Sequence, residues 1–110
     1  MNLPPDQQQI VMDILAALLP DREVRVFGSR VKGTSKPYAD LDLVIMGDEP
    51  VDGKTLRTLK EAFDESNLPY QVDVVEWART GESFRSVILA CSDPLPPAKE
   101  EVGQAYESTK

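Results

Sequence analysis

The sequence predicts a small α/β (α+β) domain in which a short mixed sheet is flanked by helices. Three observations point there. Three segments carry apolar residues at the three- and four-residue spacing of a helical face. Three short runs between them are rich in strand-favouring types. Their order is helix, strand, strand, helix, strand, helix, within a chain of 110 residues that is the size of a single core.

The first helix is expected over residues 5–19, "PDQQQIVMDILAALL", where Ile10, Val11, Ile14, Leu15, Leu18 and Leu19 share a face. Pro4, Pro5 and Asp6 suit its start, and Pro20-Asp21 its end. "EVRVFGS" alternates and forms a first strand ending at Gly28. A loop through Lys36-Pro37 leads to "LDLVIM", whose unbroken apolar run predicts burial on both faces. The turn-rich "GDEPVDG" precedes a second helix, "KTLRTLKEAFDESN", with Leu56, Leu59, Ala62 and Phe63 in phase. "YQVDVVEW" is the third strand. "TGESFRSVILAC" is the third helix, with Thr80 expected as N-cap and Phe84, Val87, Ile88 and Cys91 on one side. The domain is therefore expected over residues 1–92. Residues 93–110, "DPLPPAKEEVGQAYESTK", read as a proline-rich, polar tail, disordered or docking a partner.

Composition narrows the chemistry. With 41% hydrophobic residues the chain is ordinary globular material, and no apolar run nears the roughly 20 residues of a membrane span. No signal-peptide pattern opens it, and a lone cysteine, Cys91, allows no intrachain disulfide, so a cytoplasmic location is expected. Histidine is absent, which excludes Ser-His-Asp and Cys-His nucleophile systems and His-ligated zinc. A metal here would sit among oxygens, as magnesium, calcium or manganese do. A net charge of -7 disfavours nucleic acid. Yet residues 22–36 hold Arg22, Arg25, Arg30, Lys32 and Lys36 against Glu23 alone, a basic island that suits a compact anion.

Beside that island lies an oddity. Asp40 and Asp42 open the second strand, and two residues apart they are expected to share a face. Each raises the other's pKa unless water or a cation intervenes. Asp73 interrupts the valines of the third strand. If that strand lies beside the second, three carboxylates converge. Ten residues before Asp40, Gly28-Ser29 ends the first strand in a turn that allows close backbone approach, and "SRVKG" can begin a short helix whose N–H groups attract phosphate. Arg30 and Lys32 add positive charge.

"GSRVKGTSKPYADLD" resembles the signature of the minimal nucleotidyltransferases, members of the polymerase β-like superfamily: Gly-Ser, ten residues, Asp-X-Asp, then a third Asp on a later strand. The likeness covers roughly Val24 to Trp77. It implies that Gly28 and Ser29 contact a nucleoside triphosphate, with Arg30 and Lys32 as weaker matches. It also implies that Asp40, Asp42 and Asp73 are the catalytic and metal-binding carboxylates. Two Mg2+ ions and ATP as substrate follow from the resemblance, with Asp73 helping to activate the acceptor hydroxyl. Chains this small resemble the antitoxin of a two-gene pair. Its partner is a helical HEPN protein, the toxin, and AMP passes from ATP to a tyrosine on it, in a hetero-oligomer.

Two alternatives stay open. The chain can neutralise its partner by binding alone, or it can modify a small molecule; larger superfamily members that do the latter carry extra domains. RNA is disfavoured by acidity, and the aspartates lack the spacing of an EF-hand loop.

Overall fold

The structure, a computed structural model, describes residues 3–32 and 39–95. The Lys36-Pro37 loop and residues 96–110 of the expected tail lie outside the described residues. Helix α1 spans Pro5–Leu18, strand β1 Val24–Phe27, the short helix α2 Ser29–Lys32 and strand β2 Leu41–Ile45. Helix α3 follows over Gly53–Asp64, strand β3 over Val72–Glu76, helix α4 over Glu82–Ala90 and strand β4 over Ser92–Pro94. A 3-10 turn, Trp77–Arg79, joins β3 to α4.

The strands form one mixed sheet in the order β3-β2-β1-β4. β1 runs antiparallel to β2 and β4, whereas β2 and β3 are parallel. A parallel pair needs a crossover, and α3 supplies it. Asp52 starts that helix by accepting hydrogen bonds from the backbone N–H groups of Lys54 and Thr55, at 3.3 and 3.1 Å.

Strand alternation then sorts the side chains into two layers. Val26, Leu41, Leu43 and Ile45 face α1 and α3 and pack with Val11, Leu15, Leu59 and Phe63. Phe27 and Val44 face the other way and meet Ile88 of α4. Four residues of β2, Leu41, Leu43, Val44 and Ile45, have no exposed surface, as the apolar run predicts for a central strand.

Three expectations are corrected. Gly81, not Thr80, caps α4; the Thr80 hydroxyl instead donates to the Trp77 carbonyl at 2.8 Å and closes the 3-10 turn. Only Ile88 of α4 is buried, while Phe84 and Val87 are 39% and 57% exposed, because α4 meets its sheet face through one turn. Finally, the segment from Asp93 begins inside the fold. Ser92 to Pro94 pair with β1, and Leu95 donates its N–H to the Val24 carbonyl and is buried in the core.

Candidate active site

The sheet register assembles the site. Phe27 pairs with Asp42 across β1 and β2, and Asp42 pairs with Asp73 across β2 and β3. Side chains of paired residues share a face, so Phe27, Asp42 and Asp73 form a row on the face that α4 covers only in part. Asp40 precedes β2 and is exposed. Burial, then the charge of Asp73, then that of Asp40 raise the Asp42 pKa above its ordinary 3.8. Asp42 therefore feels the charge of both other carboxylates. Gln71 Nε2 donates to Asp73 Oδ1 at 3.4 Å.

Immediately after Phe27 the chain turns at Gly28, whose φ of +86° lies in the left-handed region. A Cβ there would stand 2.6 Å from Asp42 Oδ2. The turn thus brings bare backbone against the central carboxylate, and α2 starts at the next residue.

An open cleft runs along this corner. Phe27, Asp42 and Asp73 line it together with Lys60 and Asp64 of α3 and Phe84 of α4. The Phe27 and Phe84 rings meet edge to face with centroids 5.7 Å apart, so the cleft has an aromatic wall. The sequence offers no signal that singles out Lys60 and Asp64, one turn apart on an ordinary polar helix face. Phe84 reads as a packing residue.

The three arginines of the basic island make contacts within the chain. Arg22 donates to the Met46 carbonyl through Nε and Nη2, at 3.2 and 2.8 Å, and from Nη2 to the Glu49 carbonyl. Arg25 donates to Ser92 Oγ at 2.9 Å and pairs with Glu23. Arg30 is 3% exposed; its Nε and Nη2 both donate to the Ala39 carbonyl, at 3.1 and 2.7 Å, and its guanidinium lies 4.1 Å from the Tyr70 ring centroid. Three arginines thus hold backbone, and Arg30 does not line the cleft. The side chains of Ser29 and Lys32 lie outside the described part.

The donor set suits a hard divalent cation. Asp42 and Asp73 lie side by side on an open face, and their mutual repulsion is what such an ion relieves. Among the described residues no three carboxylates form a ready-made cluster.

The chain is similar to known proteins. The family model described as "Nucleotidyltransferase domain" matches residues 9–93. Over 88 residues the chain is 49% identical to a Haemophilus influenzae protein described as "Probable protein adenylyltransferase MntA", covering 80% of this chain and 77% of that one. A solved structure described as a toxin-antitoxin with AMP-PNP superposes with a TM-score of 0.67 at 18% identity, over 86% of this chain and 76% of that chain. A solved complex of tri-AMPylated Shewanella oneidensis HEPN toxin with MNT antitoxin gives a TM-score of 0.53 at 18% identity, over 88% and 78% of the two chains. At that identity the two structures establish a shared fold.

Proposed function

The chain belongs to the nucleotidyltransferase domain family, and from that premise we propose that it transfers AMP from ATP to a tyrosine hydroxyl of a HEPN-type partner, as the antitoxin of a toxin-antitoxin pair. The observation that carries this reading is the pairing of Asp42 with Asp73 beside the Gly28 turn. It sets two carboxylates against a stretch of accessible backbone, the two halves that phosphoryl chemistry needs.

Gly28 and Ser29 would receive the triphosphate through backbone N–H groups, with Lys32 adding charge from α2. Asp40 and Asp42 would hold Mg2+ on the phosphate side and Asp73 on the acceptor side. Two bound Mg2+ ions would supply charge compensation and lower the pKa of the attacking hydroxyl. Asp73 would take the proton of the acceptor hydroxyl as the hydroxyl oxygen bonds to the α-phosphorus and the bond to pyrophosphate breaks. Arg30 acts at one remove. It holds the carbonyl of Ala39, the residue before Asp40, and so would position the first carboxylate. Lys60 joins the site as a cation on the cleft wall.

Supporting observations are the relative described as an adenylyltransferase and the fold shared with a tri-AMPylated toxin complex. ATP as substrate fits a cytoplasmic protein. Among the described residues, no helix is long and apolar enough to cross a membrane.

The test is transfer of label. The protein, Mg2+ and a purified HEPN-type partner are incubated with ATP labelled at the α- or the γ-phosphate, beside Asp42→Asn. Label from α-ATP alone, lost in the variant and mapped to tyrosine, is the expected result. A stable complex that neutralises the partner with no label transferred would replace transfer by occlusion.

A further inference from the structure

The outer edge of β3 borders the active-site cleft and, among the described residues, β3 pairs with β2 alone. Leu41 N–H donates to the Gln71 carbonyl at 2.9 Å, which fixes the alternation. The backbone groups of Gln71, Asp73 and Val75 point toward β2, so those of Val72 and Val74 point outward. Residues 71–75 all line the cleft, which places this row of outward donors and acceptors along its floor.

An unpaired edge is ordinarily a hazard that a protein covers or charges. Here it continues the row Phe27-Asp42-Asp73 by one position. A strand added to β3 would lie about 4.8 Å from it, and its residue opposite Asp73 would project onto the same face as the two carboxylates. We propose that the β3 edge docks an extended, basic, tyrosine-bearing segment of the partner by strand addition, and that this register delivers the tyrosine to Asp73.

The occupant follows from what surrounds the edge. A net charge of -7 favours a basic segment over an acidic one. Tyrosine as the acceptor follows from the transferase reading, and Phe84, 39% exposed, leaves aromatic surface in the same cleft. Main-chain pairing supplies affinity while the single side chain supplies selection. The inference rests on the transferase reading above and adds how its acceptor is presented.

The experiment uses the whole chain with Mg2+, α-labelled ATP and two acceptors: N-acetyl-tyrosine amide, and a peptide of about twelve residues with alternating Val and Thr, a central Tyr and flanking Arg. Two further peptides carry N-methyl groups on one or the other set of alternating residues. Transfer to the peptide should exceed transfer to the amide by at least about tenfold. N-methylation of one set should remove that gain and of the other spare it, since only one set faces β3. Amide exchange at Val72 and Val74 should slow when the Phe-for-Tyr peptide binds. Equal transfer to both acceptors, or equal effects of both methylated sets, overturns strand addition and leaves the transferase reading standing. Val72 and Val74 amides already protected in the free protein, increasingly so with its concentration, would assign the edge to a second copy and overturn the proposal. No transfer to either acceptor, with none to a HEPN-type partner, fails both readings.

Discussion

A Cβ atom on Gly28 would stand 2.6 Å from Oδ2 of Asp42, so the turn and the carboxylate fit together only because residue 28 lacks a side chain. The backbone there also has a φ of +86°, which penalises other residues independently. Gly28→Ala is therefore expected to cost roughly 1–3 kcal/mol from conformation alone, and to displace Asp42 as well. Urea unfolding should show the loss, and AMP transfer should fall by at least about tenfold. Gly53→Ala is the control. Nothing lies within 4 Å of its added Cβ, at the start of α3, and it should be neutral or stabilising by about 0.4–1 kcal/mol.

Asp42 itself makes the fold less stable in the absence of a cation. Its pKa in the native state is raised above 3.8, chiefly by burial and then by Asp73 and Asp40. The native state therefore holds the proton more tightly than the unfolded chain. As pH rises past 3.8 and through the raised native value, the ionised carboxylate costs stability, and the whole cost is present once the pH lies above that native value. Asp42→Asn removes it. Thermal melts should show a higher Tm for the variant at pH 7, converging with the parent as pH falls below 3.8. Added Mg2+ should raise the Tm of the parent more than that of the variant. An equal or lower Tm for the variant at pH 7 without Mg2+ would contradict this account of the site.

What the sequence reveals here depends on how far each signal reaches along the chain. Asp42 and Asp73 lie 31 residues apart, yet their pairing was foreseeable, because a helix between two apolar strands implies a parallel crossover. The Gly28 turn was legible for a similar reason, as glycine ends the first strand. β4 was not. "SDP" opens a proline-rich segment, and proline is tolerated on an edge strand such as β4, so its presence hid a strand that only pairing with β1 reveals. Charge counting cannot tell a guanidinium that faces a ligand from one that binds a carbonyl, and Arg22, Arg25 and Arg30 each donate to a backbone carbonyl. Lys60 entered the cleft through the placement of α3, which no local pattern encodes.

Glu76 ends β3 as a buried carboxylate, 5% exposed. Its Oε2 accepts the N–H of Val51 at 2.5 Å, and its Oε1 pairs with Arg79 at 2.9 Å. The first bond ties the loop before α3 to the strand that carries Asp73. Glu76→Ala strands the buried Val51 N–H and is expected to cost about 1–3 kcal/mol. Arg79 is 65% exposed, so Arg79→Ala should cost about 0–1 kcal/mol. Chemical denaturation of both variants checks the contrast. Equal losses would show that the ion pair, and not the backbone contact, is what matters.

Arg30 separates two roles that its charge alone leaves confounded. It is buried, forks onto the Ala39 carbonyl through Nε and Nη2, and stacks on Tyr70, whose hydroxyl donates to Gln7 Oε1 at 3.0 Å. Arg30→Lys keeps the positive charge but not the planar fork. If Arg30 positions the approach to Asp40, the variant should lose about 1–3 kcal/mol of stability, lower kcat, and need more Mg2+ for half-maximal transfer. Its KM for ATP should change little. Tyr70→Phe, which keeps the ring under the guanidinium, should transfer AMP nearly as well as the parent. Steady-state kinetics against ATP and against Mg2+ distinguish the outcomes. A raised KM for ATP with kcat and the Mg2+ requirement unchanged would instead mean that Arg30 leaves its carbonyl to meet the nucleotide directly, since only a ligand contact weakens binding without disturbing the carboxylates.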